Sequence, residues 1–211
     1  MSAPAPLRVV IADDHPYYRR GLARSLRAHG IDVVAEAPNG EAAIRVVEET
    51  APDVVVMDLK MPGLSGLEAT RRLTARAPTS RVLVLSVSND EGDVADAVLA
   101  GACGYVLKES PVEDVVAGIR AAASGEAHIS PAITLPLLRR LRESTAAPAD
   151  MASVRLSGPE REVLELLARG KTDDEIATTL GIGFATVRTH ASSILAKLVH
   201  AAVRASRGPD R

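Results

Sequence analysis

Aromatic residues are scarce in this 211-residue chain, with no tryptophan, one phenylalanine and three tyrosines. A core built with so few rings must be aliphatic, and 46% hydrophobic residues supply enough Val, Leu, Ile and Ala for one. Cysteine is equally rare. Cys103 is alone, so no disulfide framework can form within the chain, which fits a reducing, cytoplasmic setting. Its place in Ala100-Gly101-Ala102-Cys103-Gly104 predicts a small buried residue rather than a reactive thiol. The stretch Met1 to Pro6 has no basic region and no long apolar run follows, so neither a signal peptide nor a membrane span is expected. Net charge is also small, −2, but unevenly spread. Residues 1–125 hold 13 Lys and Arg against 17 Asp and Glu, whereas residues 155–211 hold 9 against 7. An acidic front domain and a mildly basic tail domain are implied.

What the chain does have is a repeated alternation. Val54-Val55-Val56-Met57 is a β-favouring run that stops on Asp58, with the turn Met61-Pro62-Gly63 behind it. Similar runs occur at Leu7 to Ala12, Ile31 to Ala35, Arg81 to Ser86 and Gly104 to Lys108. Helical periodicity separates them, with apolar positions such as Leu22 and Leu26, Val46 and Val47, Leu67 and Leu73, and Val94 and Val98. A last helix follows Pro111 with Val115, Val116 and Ile119 inward. Five strands alternating with helices predict an α/β fold: a doubly wound parallel sheet with helices on both faces.

In such sheets ligands gather beyond the carboxyl ends of the strands. Those ends carry Asp13, Asp14, Asp58, Ser86 and Lys108. Clustered carboxylates repel one another unless a cation neutralises them, and a hard divalent ion such as Mg²⁺, which prefers oxygen ligands and often shares a phosphate, would do so. Lys108 adds a point charge for a phosphate oxygen and Ser86 a hydroxyl donor. The set describes phosphoryl transfer, with Asp58 the nucleophile.

Asp13-Asp14, Met57 to Gly63, Ser86 and Lys108, in that order, resemble the receiver domain of a two-component response regulator over about residues 7–124. The resemblance implies a flavodoxin-like strand order 2-1-3-4-5. It implies that Asp58 accepts a phosphoryl group from a sensor histidine kinase, and that Asp14, Asp58 and the backbone carbonyl of Lys60 hold Mg²⁺ directly, with Asp13 acting through water. Lys108 would pair with the phosphoryl group, and Ser86 and Tyr105 would form a conformational switch that biases a two-state equilibrium.

The composition changes at Gly125 to Ser153, a linker. Ser130-Pro131 predicts a short helix interrupted at Pro136, and Ser144 to Asp150 a flexible tether. Then Ser157-Gly158-Pro159-Glu160 and Thr172-Asp173-Asp174-Glu175 read as two capping boxes, each opening a helix. Gly181-Ile182-Gly183 is a tight turn, and a third helix starts at Phe184 with Val187, Ala191, Ile194 and Leu198 on one face. Helix, glycine turn, helix is the helix-turn-helix pattern, whose second helix enters the major groove.

Leu156-Ser157, Arg161 to Leu164, Glu175-Ile176-Ala177, Leu180-Gly181-Ile182, Thr186 to His190 and Ile194 to Leu198 resemble the LuxR-type DNA-binding domain. With the receiver in front, the chain resembles a NarL/FixJ-type response regulator. That implies domains at 1–124 and 154–211, a transcription factor rather than an enzyme, double-stranded DNA as partner and a homodimer on activation. It makes Arg188, Thr189 and Ser192 base-facing, and Thr186, His190 and Lys197 phosphate or scaffold contacts.

Two features depart from the family pattern. Asp173-Asp174 stand where a basic residue is common, and the loop and last helix after Leu198 are shortened. Both predict weaker DNA binding and leave open a regulator acting by protein contact. An aspartate-nucleophile phosphatase is a third reading. It would need a second acid two positions after Asp58, and that position is Lys60.

Overall fold

The computed structural model describes residues 5–77, 79–88, 90–126, 128–129, 154–187, 189–191, 193–194 and 197–198. Strands β1 (Arg8–Ala12), β2 (Asp32–Ala37), β3 (Val54–Met57), β4 (Arg81–Ser86) and β5 (Gly104–Leu107) alternate with helices α1 (Pro16–Ala28), α2 (Gly40–Thr50), α3 (Gly66–Arg76), α4 (Glu91–Leu99) and α5 (Val112–Ala123). All neighbouring strands are parallel, in the expected order 2-1-3-4-5. A sixth strand, β6 (His128–Ile129), extends the sheet beside β5, so the five-stranded expectation is one strand short. Gly104 and Gly118 make room for it, since a Cβ at Gly104 would lie 2.5 Å from the His128 carbonyl oxygen and one at Gly118 3.1 Å from the His128 ring.

Alternate side chains of each strand point to opposite faces. Val9, Ile11, Val54, Val56, Leu83 and Leu85 meet Leu22 and Leu26 of α1 and Val115, Val116 and Ile119 of α5. Val10, Val55, Met57, Val82 and Val84 meet Ala43 and Val47 of α2, Leu73 of α3 and Val94 and Val98 of α4. The strands read as unbroken apolar runs because both faces are covered. Each helix start has a local cause. Pro16 occupies the first helical position of α1, and the side chains of Asn39, Ser65 and Asp90 accept backbone N–H groups at the starts of α2, α3 and α4. Pro111 precedes α5 as its cap, one position earlier than the sequence suggests.

The second domain begins with α6 (Gly158–Ala168) and α7 (Asp173–Leu180), both opened by complete capping boxes, Ser157 with Glu160 and Thr172 with Glu175. Gly181 ends α7 in the left-handed conformation that favours glycine. From 184 to 198 the described residues are helical, and Val187, Ala191, Ile194 and Leu198 are all buried, as their spacing predicts. Val163, Leu167 and Ile176 complete this core. The helix and tether expected within 130–150, and the shortened segment after Leu198, lie outside the described residues.

Candidate functional site

The strands deliver their end residues to one rim. Asp58 follows β3 directly, and its backbone N–H donates to the Ala12 carbonyl, 2.8 Å, locking it against β1. Lys108 follows β5, with its N–H donating to Ser86, 2.9 Å. The Lys108 Nζ sits 2.7 Å from Asp13 Oδ2 and 2.7 Å from Asp58 Oδ2, and all three residues are buried or nearly so. Burial raises the Asp58 pKa against the pull of Lys108 and the Lys60 N–H, which reaches Asp58 Oδ1 at 3.3 Å. Burial works against the Lys108 ammonium, but Asp13 and Asp58 together outweigh it and raise its pKa. The lysine therefore opposes, without cancelling, the burial that disfavours charge on Asp58.

The three acids are not equivalent. Asp13 has both oxygens engaged, Oδ2 with Lys108 and Oδ1 with the His15 N–H at 2.8 Å. Asp14 differs: its buried Oδ1 accepts no hydrogen bond and has only the exposed His15 Nδ1 beside it, at 2.8 Å. An orphaned buried carboxylate oxygen requires an explanation, and a cation is the usual one. Donor atoms of Asp13, Asp14, His15 and Asp58 all lie within 4.8 Å of one another. Hard oxygen donors with one uncommitted member fit a divalent ion such as Mg²⁺.

Ser86 is fully buried, and its Oγ accepts the Ser88 N–H at 3.1 Å. Tyr105 is fully buried too, and its hydroxyl donates to the Ser88 carbonyl at 2.7 Å. Burial pushes the Tyr105 hydroxyl up to about 12, so it stays a donor at any working pH. Ser86 and Tyr105 thus grip the same short segment after β4, where Ser88 lies. From the far side, Lys60 Nζ is 3.2 Å from Asp93 Oδ2 at the start of α4.

Three features of the rim were not foreseen from sequence. Gly66 lets α3 begin against the loop after β3, since a Cβ there would fall 1.7 Å from the Asp58 carbonyl oxygen. Tyr18 lies with its ring centroid 4.9 Å from Lys108 Nζ. His15 joins the acidic cluster. Only Gly66 left a signal, a glycine at the first position of a helix.

In the second domain the proposed DNA-facing residues separate. Thr186 and Thr189 are exposed, and His190 is half-buried. Thr189 donates its hydroxyl to the Ala185 carbonyl, 2.9 Å. Lys197 instead turns to Glu160, with Nζ 2.6 Å from Oε2 and 2.7 Å from Oε1. Arg188 and Ser192 lie outside the described residues.

Comparison with known proteins agrees with this arrangement. Residues 9–120 match the response regulator receiver domain, and residues 154–205 match the bacterial regulatory proteins of the luxR family. This chain is a LuxR-family response regulator. It is 38% identical over 199 residues to the nitrate/nitrite response regulator NarL of Escherichia coli K12, covering 94% of this chain and 92% of that one. A LuxR-family two-component response regulator from Aurantimonas sp. SI85-9A1 superposes with a TM-score of 0.61 at 36% identity, covering 66% of this chain and 99% of that one. A structure of two RcsB dimers bound to two parallel DNAs gives a TM-score of 0.58 at 27% identity, with 92% of each chain covered. The response regulator is a two-component transcription factor, not a classical enzyme. Its receiver implies a kinase partner and its helix-turn-helix domain implies DNA binding. Among the described residues no helix is long and apolar enough to cross a membrane.

Proposed function

We propose that Asp58 is the phospho-acceptor, and that its phosphorylation by a sensor histidine kinase controls DNA binding by the second domain. The observation that carries this reading is the buried Asp58 carboxylate, 2.7 Å from Lys108 and within reach of the uncommitted Asp14 oxygen. Asp58 attacks the phosphorus of a phosphohistidine, and the imidazole leaves. A bound Mg²⁺, held by Asp14, Asp58 and the Lys60 carbonyl with Asp13 behind water, would supply neutralisation of phosphoryl charge. Lys108 is already in place to pair with a phosphoryl oxygen once Asp58 is esterified. The lysine then exchanges a carboxylate partner for a stronger acceptor group.

Ser86 and Tyr105 carry the news outward. Phosphorylation adds about 1.5 to 2 negative charges and three acceptors. A Ser86 hydroxyl drawn toward them changes what the segment at Ser88 holds, and Tyr105 is bonded to that same segment. The equilibrium between receiver forms shifts, and two receivers pair. Pairing presents two helix-turn-helix domains to two half-sites. Arg188, Thr189 and Ser192 then face base edges, with Thr186 and His190 at phosphates, in a cytoplasmic homodimer on double-stranded promoter DNA. The domains run from 1–124 and 154–211 around the linker 125–153. Lys60, ion-paired with Asp93, supplies no acid for a leaving group, so loss of the phosphoryl group is slow autodephosphorylation rather than turnover.

The test is intact-mass measurement after treatment with a small phosphoryl donor and Mg²⁺, beside genomic footprinting. Wild type should gain one acid-stable, base-labile phosphoryl group and protect promoter DNA, and Asp58→Asn should do neither. Phosphoryl uptake retained by Asp58→Asn would move the acceptor elsewhere. Uptake with no DNA protection at low salt would favour regulation by protein contact.

A further inference from the structure

We propose that Tyr18 is a positioning residue for phosphoryl transfer: its ring holds the Lys108 ammonium at the rim while the lysine passes from carboxylate to phosphoryl oxygen. This rests on the reading above that Asp58 accepts the phosphoryl group.

Helical spacing puts Tyr18 in place. Tyr18, Leu22 and Leu26 recur every four residues, so they share one face of α1. Leu22 and Leu26 are buried against the sheet, and Tyr18, one turn nearer the start of the helix, packs on the same core. The stripe therefore ends with a ring rather than an aliphatic chain. Lys108 Nζ lies over that ring, 4.9 Å from its centroid, inside the range of about 6 Å at which a ring face attracts a cation. The hydroxyl adds little: it donates to the Lys108 carbonyl at 3.5 Å, the outer limit for such a bond. Nor is it a counter-ion, since burial outweighs the pull of Lys108 and raises its pKa from the ordinary 10.0. The face of the ring is what acts on the lysine.

The lysine needs such a holder because its chain is long and its charge is nearly enclosed, with 9% of the side chain exposed. Two of the three ammonium hydrogens serve Asp13 and Asp58, each at 2.7 Å. When Asp58 is esterified, its negative charge moves out onto the phosphoryl oxygens, and that bond must be exchanged. Of the two carboxylates, only Asp13 then keeps its full charge. The ring attracts the ammonium without offering a lone pair, so it limits where the charge sits and leaves the hydrogens free to turn. A third carboxylate would grip harder but would compete with the phosphoryl group.

The experiment follows phosphoryl uptake by the full chain from phosphoramidate and Mg²⁺, by intact mass. In this step an Asp58 oxygen bonds to phosphorus, the P–N bond breaks, and the nitrogen leaves with the electron pair as ammonia. Tyr18→Leu, which keeps apolar bulk but no ring, should slow uptake by about 3- to 30-fold, the range for a cation over a ring from partly to fully desolvated. Tyr18→Phe keeps the ring and should restore the wild-type rate. In a Lys108→Ala background Tyr18→Leu should cause no further slowing, which separates action through the lysine from a general loosening of the receiver. In wild type, the ring current should shift the Lys108 ε-methylene protons upfield in nuclear magnetic resonance spectra assigned against Lys108→Ala. Uptake by Tyr18→Leu at the wild-type rate, equal slowing by the two Tyr18 variants, or equal slowing with and without Lys108 overturns the assignment and leaves Asp58 as acceptor. So does an unshifted ε-methylene, a readout that stands whether or not Tyr18→Leu folds. No uptake by wild type, or uptake retained by Asp58→Asn, overturns the acceptor reading and this one with it.

Discussion

Glu160 carries its charge inside the DNA-binding domain. Its Oε1 accepts from Ser193 Oγ at 2.7 Å, Lys197 bridges both oxygens, and Oε2 accepts the Ser157 N–H at 2.6 Å. Burial opposes the charge, but these donors outweigh it and hold the pKa at about 2. A carboxyl that is more acidic folded than unfolded stabilises the fold above its ordinary value of 4.5, and that contribution fades as pH falls toward 2. The second domain's melting temperature should accordingly drop across that interval, and Glu160→Gln should flatten this part of the profile. At neutral pH the same variant should cost about 1–3 kcal/mol in urea titrations, the scale for a buried hydrogen-bonded group losing its charge. The spacing of the capping box made Glu160 legible as a cap residue. Nothing in the sequence showed that its carboxylate also reaches 37 residues on to Lys197. In the receiver, Asp13, Asp14, Asp58, Ser86 and Lys108 were legible because each ends an apolar run. Tyr18 and His15 were not, since the first turn of α1 carries no periodic cue to where a polar ring will point.

At the scale of elements, the meeting of α3 with the loop that carries Asp58 depends on one missing side chain. Gly66→Ala would force a Cβ into the Asp58 carbonyl, so either α3 or the loop must move. We expect a loss of about 1–3 kcal/mol by denaturant unfolding, the range for overpacking, together with slower phosphoryl uptake at Asp58. The end of α2 shows the opposite case. Ala51 caps it with φ of 43°, a left-handed conformation that an L side chain tolerates poorly. Ala51→Gly should stabilise the receiver by roughly 0.5–1 kcal/mol, read from the same titrations, after allowing for the greater freedom glycine gives the unfolded chain. Strands β1 to β5 were foreseen because a buried parallel strand leaves an unbroken apolar run. Strand β6 has two residues and no such run. Its space is made by glycines on β5 and α5, so only the folded arrangement discloses it.

Across the whole molecule, charge is divided by domain, net acidic over residues 1–125 and net basic over 155–211. Asp173 and Asp174 occupy the first turn of α7, where carboxylates favour the positive end of the helix dipole. Their structural use explains acids in a basic setting. Asp174→Lys should sacrifice about 0.3–1 kcal/mol of helix stability. If the new lysine meets a phosphate, DNA binding should tighten and the slope of log affinity against log salt should steepen by about 0.9, measurable by fluorescence anisotropy. An unchanged slope would set the start of α7 apart from the duplex. The path from receiver to DNA has its own geometry. Helix α5 runs back toward the amino ends of the strands, and had the sheet stopped at β5, the chain would set out for the second domain from there. β6 is parallel to β5 and pairs His128 with Gly104 and Ile129 with Tyr105, so the described receiver ends beside the first half of β5 rather than at the end of α5. β6 is thus the edge strand next to the residue proposed as the switch, so a rearrangement at Tyr105 would meet no other strand before it.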